Sequence, residues 1–144
     1  MNERPRTMTP IFELTDKQVE QLYGLYQFAW WARHRTLDET RRCAKGSTMC
    51  FGFVDEEHNL VAFTRVLTDY TFKALMFDVI VHPDHQDKGL GHQLVTLVKE
   101  DPRLQDVHHI ELYCLPELQK FYASFGFTTD VGNMALMRLN RTAA

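Results

Sequence analysis

Hydrophobic positions near the start of the chain recur at a helical period. A first helix is predicted by four residues at this spacing, Val19, Leu22, Tyr23 and Tyr26. Thr15 and Gln18 precede them as a capping box, in which each side chain satisfies the backbone N–H of the other residue. Thr36 and Glu39 repeat that pairing, and Gly46 follows as a helix stop. Two helices are therefore predicted before most of the strands.

Short apolar runs rich in β-branched and aromatic residues predict the strands. Four such runs are IFEL (11–14), TMCFGFV (48–54), LVAFTRVL (60–67) and ALMFDVIV (74–81). The second and third runs flank DEEHN, a polar segment that favours a hairpin, and Pro83 stops the fourth run. Three consecutive strands with short connections predict an antiparallel meander.

The hydrophobic period becomes helical again after Gly89. One face of this helix is formed by Leu90, Leu94, Leu97 and Val98, and Pro102 ends it. VHHIELYC then predicts a strand, and PELQKFYASFG predicts a helix with proline at its start and glycine at its end. FTTDV and MALMRL, joined around Gly132–Asn133, predict a final hairpin. The predicted order is βααβββαβαββ, which is a mixed α/β (α+β) fold.

Length and composition indicate a single globular domain. The chain has 144 residues, of which 44% are hydrophobic and 24% charged, and a chain of this length buries about 68–70% of its unfolded surface. We find no repeat, low-complexity segment or linker that would divide it. Residues 11–140 are predicted as one domain, between a flexible arm of residues 1–10 and a tail of residues 141–144.

Charge and the length of the apolar runs argue against several classes of protein. A formal charge of −3 and a pI near 6.1 lack the basic footprint of a nucleic-acid-binding protein. The apolar runs are too short to span a membrane, and the N-terminal segment lacks the apolar centre of a signal peptide. We therefore expect a cytosolic protein without a nucleic-acid or membrane partner.

Cysteine and histidine spacing does not match a metal site. Cys43, Cys50 and Cys114 are odd in number, far apart and outside any CxxC pattern, so we expect buried free thiols. His82 and His85 lie close together in a turn, but no third ligand is near them in the sequence. No metal is therefore predicted.

Two glycines stand where a strand ends and a helix begins, in the segment VIVHPDHQDKGLGHQLVTLV (79–98). A helix start exposes unpaired N–H groups and the positive end of the helix dipole, so it can hold an anion. Gly89 and Gly91 would let the backbone approach a phosphate closely. The Walker pattern is absent and GxGxxG fails beyond Gly91. The glycines alone indicate only a glycine-assisted helix start.

The residues around these glycines give a more specific indication of function than the glycines alone. QDKGLG (86–91), preceded by DVIVHPDH, resembles the Q/R-x-x-G-x-G/A motif of the GNAT acyltransferases, in which this loop holds the pyrophosphate of acyl-CoA. LQKFYASFGF (118–127) looks like the segment that closes the coenzyme site of that family. The resemblance covers roughly residues 60–139. It implies a GNAT-like fold with a twisted, mostly antiparallel mixed sheet flanked by helices.

The resemblance implies acetyl-CoA as co-substrate and assigns most of its contacts to the backbone. Val79, Ile80 and Val81 would offer N–H and C=O groups to the pantetheine arm, and one N–H there would stabilise the oxyanion. These β-branched side chains can also simply pack in the core, and that interpretation is compatible with the same backbone contacts. The residues expected around the pyrophosphate are Gln86, Asp87, Lys88, Gly89, Leu90, Gly91 and His92. The family often has arginine at the first of these positions, and Lys88 would supply the missing charge.

Two residues are candidates for proton transfer. Tyr122 matches the tyrosine that protonates the departing CoA thiolate in many members of the family. It also belongs to an apolar helical face, so a purely structural Tyr122 stays open. Asp78 lies in an otherwise apolar strand and is the first candidate for the general base. A structural pair with Arg65, or a water chain as the base, stays open as well.

The acceptor is expected to be an amine. Asp69 and Tyr70, before the strand of Asp78, and Trp31 and Arg33, after the first helix, are candidates for its binding site because aromatic and acidic residues suit a cation. A tryptophan that only packs the helix stays open. The resemblance implies direct transfer of an acetyl group to the primary amine of a small molecule in a ternary complex. The alternative is a non-catalytic module that senses acyl-CoA, and a homodimer also stays open.

Overall fold

The structure is a computed structural model that describes residues 7–142. The chain forms two units, one up to Tyr113 and one from Cys114 onward, and each is described by itself. The predicted bounds of a single domain, residues 11–140, stay a prediction. Residues 1–6 of the predicted arm and residues 143–144 of the predicted tail lie outside the described residues.

A five-stranded sheet forms the centre of the first unit, with the order β1-β2-β3-β4-β5. Its strands are β1 (Thr9–Ile11), β2 (Met49–Val54), β3 (Leu60–Thr68), β4 (Lys73–Val81) and β5 (His109–Leu112). Strands β1 to β4 pair antiparallel, and β5 runs parallel to β4. The predicted meander of β2, β3 and β4 is confirmed. β1 begins earlier than expected, at Thr9, within the segment predicted as an arm.

Three helices of the first unit match the predicted ones. They are α1 (Asp16–Tyr26), α2 (Leu37–Gly46) and α3 (Leu90–Glu100). Both predicted capping boxes form: the Thr15 hydroxyl accepts the N–H of Gln18 at 3.1 Å, and the Gln18 side chain accepts the N–H of Thr15 at 2.9 Å. Thr36 and Glu39 make the same two hydrogen bonds at the start of α2. Local hydrogen bonding therefore sets where both helices begin.

The helices cover both faces of the sheet. β3 is buried along most of its length, which requires neighbours on each side because successive side chains point to opposite faces. On one face, α1 packs against Phe63 and Ile80 through a set of buried residues, Leu22, Leu25 and Tyr26. α3 buries Leu90, Leu94 and Val98 and contacts β2, β3 and β4. The predicted class, a mixed and mostly antiparallel sheet flanked by helices, is confirmed.

The second unit contains a short helix and an extended segment. A 3-10 turn at Pro116–Leu118 leads into α4 (Gln119–Ala123), which is shorter than the predicted helix. The predicted final hairpin of FTTDV and MALMRL is wrong for residues 127–142, where only an isolated bridge joins Val131 and Asn133. Apolar alternation shows that a segment can be a strand, but a strand also needs a partner, and here these residues are exposed.

The cysteines differ in burial from the prediction. The three cysteines are free, and they are half-buried rather than fully buried. Among residues 7–142, no helix has both the length and the hydropathy that crossing a membrane requires. Cellular location stays a prediction.

Candidate functional site

The main feature of the sheet is a gap between β4 and β5. Their parallel pairing runs from Lys73↔His109 to Met76↔Leu112, whereas β4 continues to Val81 and stays paired with β3 up to that residue. Residues 77–81 therefore have no partner in β5. Backbone N–H and C=O groups on this side of β4 are open to a ligand, because such groups require a hydrogen-bond partner.

A β-bulge lies in β4 where the gap begins. One residue of β3, Thr64, faces two residues of β4, Asp78 and Val79. Asp78 has a φ of +61°, a left-handed conformation that is uncommon for a residue other than glycine. The Thr64 hydroxyl donates to the carbonyl of Phe77 at 2.8 Å and so ties the bulge to β3. A bulge bends its strand, and this one follows directly after the last pair of β4 with β5.

The Asp78 side chain is held by three other residues. Arg35 donates to both carboxylate oxygens, at 2.7 and 3.2 Å, and Arg65 donates through Nε at 2.8 Å. The Tyr26 hydroxyl donates at 2.9 Å. The Asp78 side chain is only 6% exposed. Burial alone raises the pKa of Asp78, but hydrogen bonds and charge from Arg35 and Arg65 outweigh it and lower that pKa below its ordinary value.

These four residues, Tyr26, Arg35, Arg65 and Asp78, are called the arginine cluster below. The pair of Arg65 and Asp78 was one of the predicted alternatives, and it is confirmed. Sequence analysis missed Arg35 and Tyr26, which lie 43 and 52 residues before Asp78. The only available signal was an aspartate in an apolar strand, which required partners without identifying them.

Aromatic rings fix the orientation of Arg35. Its guanidinium carbon lies 4.6 Å from the ring centre of Tyr26 and 5.5 Å from that of Trp31. Burial, followed by the charge of Asp78, raises the pKa of Tyr26, so this phenol stays neutral. The structure therefore brings Trp31, one of the predicted acceptor residues, next to Tyr26 and Arg35 of the arginine cluster.

The other predicted acceptor residues lie elsewhere. Asp69 and Tyr70 occupy the turn between β3 and β4, where one oxygen of Asp69 accepts three backbone N–H groups at 2.8–3.1 Å. These hydrogen bonds lower the pKa of Asp69. At about 3.3 Å per residue, the start of β4 is about 16 Å from Asp78. Arg33 is exposed beyond α1. Of the four, Trp31 is the one with a ring contact to the arginine cluster among residues 7–142.

The glycine loop follows β4 directly. It consists of a 3-10 turn at Pro83–Lys88 and Gly89, which caps α3 with a left-handed φ of +74°. A Cβ atom at Gly89 would meet nothing within 4 Å, so the position needs glycine for its conformation and the space beside it is open. Lys88 is exposed next to it. An open backbone, a helix start and a lysine together fit an anionic group such as a pyrophosphate.

The remaining side chains of this loop support its shape. Gln86 donates through Nε2 to the carbonyl of Val81 at 3.3 Å, which links the loop to the end of β4. His82 accepts the N–H of Asp84 at 3.1 Å, and His85 contacts Lys88 at 3.2 Å. Within residues 7–142 there is no group of three or more potential ligands close enough to hold a metal.

Tyr122 lies on α4 in the second unit. It is 8% exposed and contacts the rings of Phe121 and Phe127, with centres 5.0 and 6.1 Å away. Burial raises the pKa of Tyr122 to about 12. Its hydroxyl has no hydrogen-bond partner among the described residues and is not cut off from solvent. The hydroxyl is therefore protonated near neutral pH and free to donate.

Comparisons with known proteins agree with this arrangement. The model of the Acetyltransferase (GNAT) family matches residues 11–127. A protein from Pyropia yezoensis, named uncharacterized N-acetyltransferase ycf52, is 30% identical over 126 residues, which cover 83% of this chain and 71% of that protein. A protein of the same name from Gracilaria tenuistipitata var. liui is 38% identical over 71 residues, 49% of this chain and 39% of that one.

The chain thus spans well under two thirds of the Gracilaria protein. Among solved structures, a protein from Xanthomonas campestris pv. campestris described as a GNAT-family acetyltransferase superposes with a TM-score of 0.77 at 27% identity, covering 92% of this chain and 93% of that one. The family match covers most of the chain, and the fold agrees with it. This chain therefore belongs to the GNAT family of acetyltransferases.

Proposed function

We propose that the protein transfers an acetyl group from acetyl-CoA to a primary amine by direct attack in a ternary complex. The observation that carries the proposal is the gap beside residues 77–81, which ends at the glycine loop. An open strand edge and an anion site in succession suit an extended ligand with a pyrophosphate at one end. Family membership supports acetyl-CoA as that ligand.

In this proposal the backbone binds most of the coenzyme. Val79, Ile80 and Val81 hydrogen-bond the pantetheine arm, and the pyrophosphate lies against Gln86, Asp87, Lys88, Gly89, Leu90, Gly91 and His92. An N–H of β4 near the bulge donates to the thioester oxygen, which becomes negatively charged during attack. A single donor of this type contributes about 10²–10³-fold to turnover.

The reaction also needs a base that takes a proton from the amine and an acid that gives a proton to the departing CoA thiolate. Asp78 was the first candidate for the base, but its lowered pKa and its hydrogen bonds make it a weak one. We therefore propose that Asp78 holds the bulge in place and that a water chain takes the proton from the amine. Tyr122 remains the proposed acid for the departing thiolate. The acetyl group passes from the CoA sulfur to the amine nitrogen, so a C–N bond forms and the C–S bond breaks, while nitrogen loses one proton and sulfur gains one.

Calorimetric titration with acetyl-CoA, CoA and ATP tests the coenzyme part of the proposal. We expect both CoA compounds to bind and ATP to bind at least tenfold more weakly. Release of free thiol in the presence of a panel of amines then tests turnover. Binding without turnover on any amine would support the alternative, an acyl-CoA-sensing module, and equal binding of ATP would contradict the coenzyme assignment. The absence of nucleic-acid and membrane partners, and a homodimer, stay predictions.

A further inference from the structure

The arginine cluster has more positive than negative charge. Arg35 and Arg65 share the single carboxylate of Asp78, which leaves one uncompensated positive charge. Tyr26 adds no charge because its pKa is raised, and burial raises the pKa of the nearby Cys50 thiol to about 11, so it is also neutral. Glu39, whose charge reaches Arg35, is exposed at the start of α2 and accepts the N–H of Thr36. The surplus charge lies within the cluster.

Arg65 presents this charge in a form that a ligand can use. Only its Nε donates to Asp78, and its two terminal nitrogens have no hydrogen-bond partner among residues 7–142. They are not cut off from solvent, since no buried side-chain nitrogen in that part of the chain is unsatisfied. The guanidinium carbon lies 4.8 Å from the ring centre of Phe77. Asp78 and Phe77 therefore hold the guanidinium plane in place while its terminal N–H groups stay open.

The Arg65 guanidinium lies beside the residue at which the gap begins. Arg65 is paired across the sheet with Phe77, the first residue of β4 beyond the last pair with β5. Phe77 also meets the ring of Tyr113 edge-on, with centres 5.6 Å apart. Tyr113 is 54% exposed, so it extends the aromatic surface that begins at Phe77 beside the guanidinium. The bulge at Asp78 and Val79 follows immediately along the strand.

We infer that Arg65 binds a carboxylate of the acceptor, and that the acceptors are amino acids with an aromatic side chain rather than simple amines. This rests on the proposed function. A planar guanidinium with two free terminal nitrogens matches a carboxylate in a bidentate geometry. Phe77 and Tyr113 offer aromatic surface for the side chain.

The proposed acetyl transfer accounts for every bond and proton. The neutral amine nitrogen of the amino acid attacks the thioester carbonyl carbon, a C–N bond forms and the C–S bond breaks. The nitrogen loses one proton to water, and the CoA thiolate gains one. The products are an N-acetyl amino acid and CoA, and the carboxylate bound by Arg65 is unchanged throughout.

Matched acceptors test the inference on the wild-type protein. L-phenylalanine is compared with phenethylamine, and L-tryptophan with tryptamine, because each pair differs by the carboxylate alone. We expect kcat/KM to be at least tenfold higher for the amino acid of each pair. Equal values, or a preference for the amines, would overturn the inference while leaving the proposed function intact. If neither these four compounds nor a broader amine panel is acetylated, both are contradicted.

Variants of Arg65 test whether this residue causes the preference for an amino acid over the matching amine. Arg65→Gln should lower kcat/KM for L-phenylalanine about 10–100-fold more than it lowers kcat/KM for phenethylamine, as expected for loss of a charged hydrogen bond that only the amino acid makes. Arg65→Lys keeps the charge and should recover part of the preference. The matched control is Arg41→Gln, at an exposed arginine of α2, which should change neither substrate. An equal loss for both substrates in Arg65→Gln would mean a structural role and overturn the assignment.

Discussion

Asp78 shows how one residue can shape a site without touching a substrate. Its left-handed backbone is unfavourable for an aspartate, and its buried carboxylate would be costly without partners. Arg35, Arg65 and Tyr26 compensate both costs through four hydrogen bonds. The bulge in β4 therefore depends on side chains from α1, from the segment after it and from β3.

Asp78→Asn tests this dependence. The substitution removes the charge between Arg35 and Arg65, so we expect the free energy of unfolding to fall by about 3 kcal/mol, the lower end for a broken buried pair, since both arginines keep some contact with solvent. Urea denaturation measures the change. Asp106→Asn, at an exposed position, is the control and should change stability by less than about 0.5 kcal/mol. Equal small effects would contradict the role of Asp78.

The pKa of Asp78 also predicts a pH dependence. Because its pKa is lower in the folded protein than its ordinary value near 3.9, the unfolded chain takes up the proton first as pH falls. The stability contributed by Asp78 is thus fully present above about pH 5 and is lost as pH falls through the folded pKa. The stability difference between wild type and Asp78→Asn should be constant above about pH 5 and shrink below it. A difference that stays constant down to pH 3 would disagree.

Tyr122→Phe tests the proposed acid. With a pKa of about 12 the phenol is protonated at neutral pH, so removing its hydroxyl should lower kcat by about 10²-fold. Affinity for acetyl-CoA should stay within about twofold, because no binding role is proposed for the hydroxyl. Tyr23→Phe, on α1, serves as the control. Wild-type turnover in Tyr122→Phe would leave Tyr122 with a structural role only.

At the scale of elements, β4 combines three local features in one strand. It begins in regular pairing on both sides, it bulges at Asp78, and it ends in the glycine loop. The gap beside residues 77–81 arises because β5 ends at Leu112 while β4 continues. Neither strand alone contains this information, because a gap is a property of their pairing.

The glycine loop can be tested by adding a side chain. Gly89→Glu forces a non-glycine residue into a φ of +74° and adds negative charge where the pyrophosphate is proposed to bind. We expect acetyl-CoA binding to be lost in calorimetry while the circular dichroism spectrum stays that of a folded protein. Gly46→Glu, at an exposed glycine at the end of α2 with open space around it, is the matched control and should bind normally. Normal binding by Gly89→Glu would contradict the loop assignment.

At the scale of the whole molecule, the two units differ in how they are stabilised. The first has a sheet covered by helices on both faces, with α3 residues such as Leu94 completely buried. The second contains a short helix followed by exposed residues, and large apolar side chains such as Leu136, Met137 and Leu139 are 62–90% exposed there. Stability of the monomer should therefore come mostly from the first unit.

Substitutions in the two units should differ accordingly. Leu94→Ala should lower the free energy of unfolding by about 2–5 kcal/mol because it leaves a cavity in the core. Met137→Ser should change it by less than about 0.5 kcal/mol, since Met137 is 90% exposed. Denaturation at several protein concentrations measures both. A loss above about 1 kcal/mol for Met137→Ser that grows with protein concentration would instead show that this segment is buried in an oligomer.

The sequence by itself determined the features that depend on neighbouring residues. These features are the capping boxes, the meander of β2 to β4, and the strand, glycine loop and helix around Gly89. All follow from contacts between residues close in sequence, so pattern and motif were sufficient to predict them. The tertiary structure alone decided features that depend on distant partners. These include the contacts of Arg35 and Tyr26 with Asp78, the gap between β4 and β5, the separation of Asp69 from the bulge, and the unpaired C-terminal segment. Which distant residues meet is decided by the fold, because the local sequence pattern carries no information about partners far along the chain.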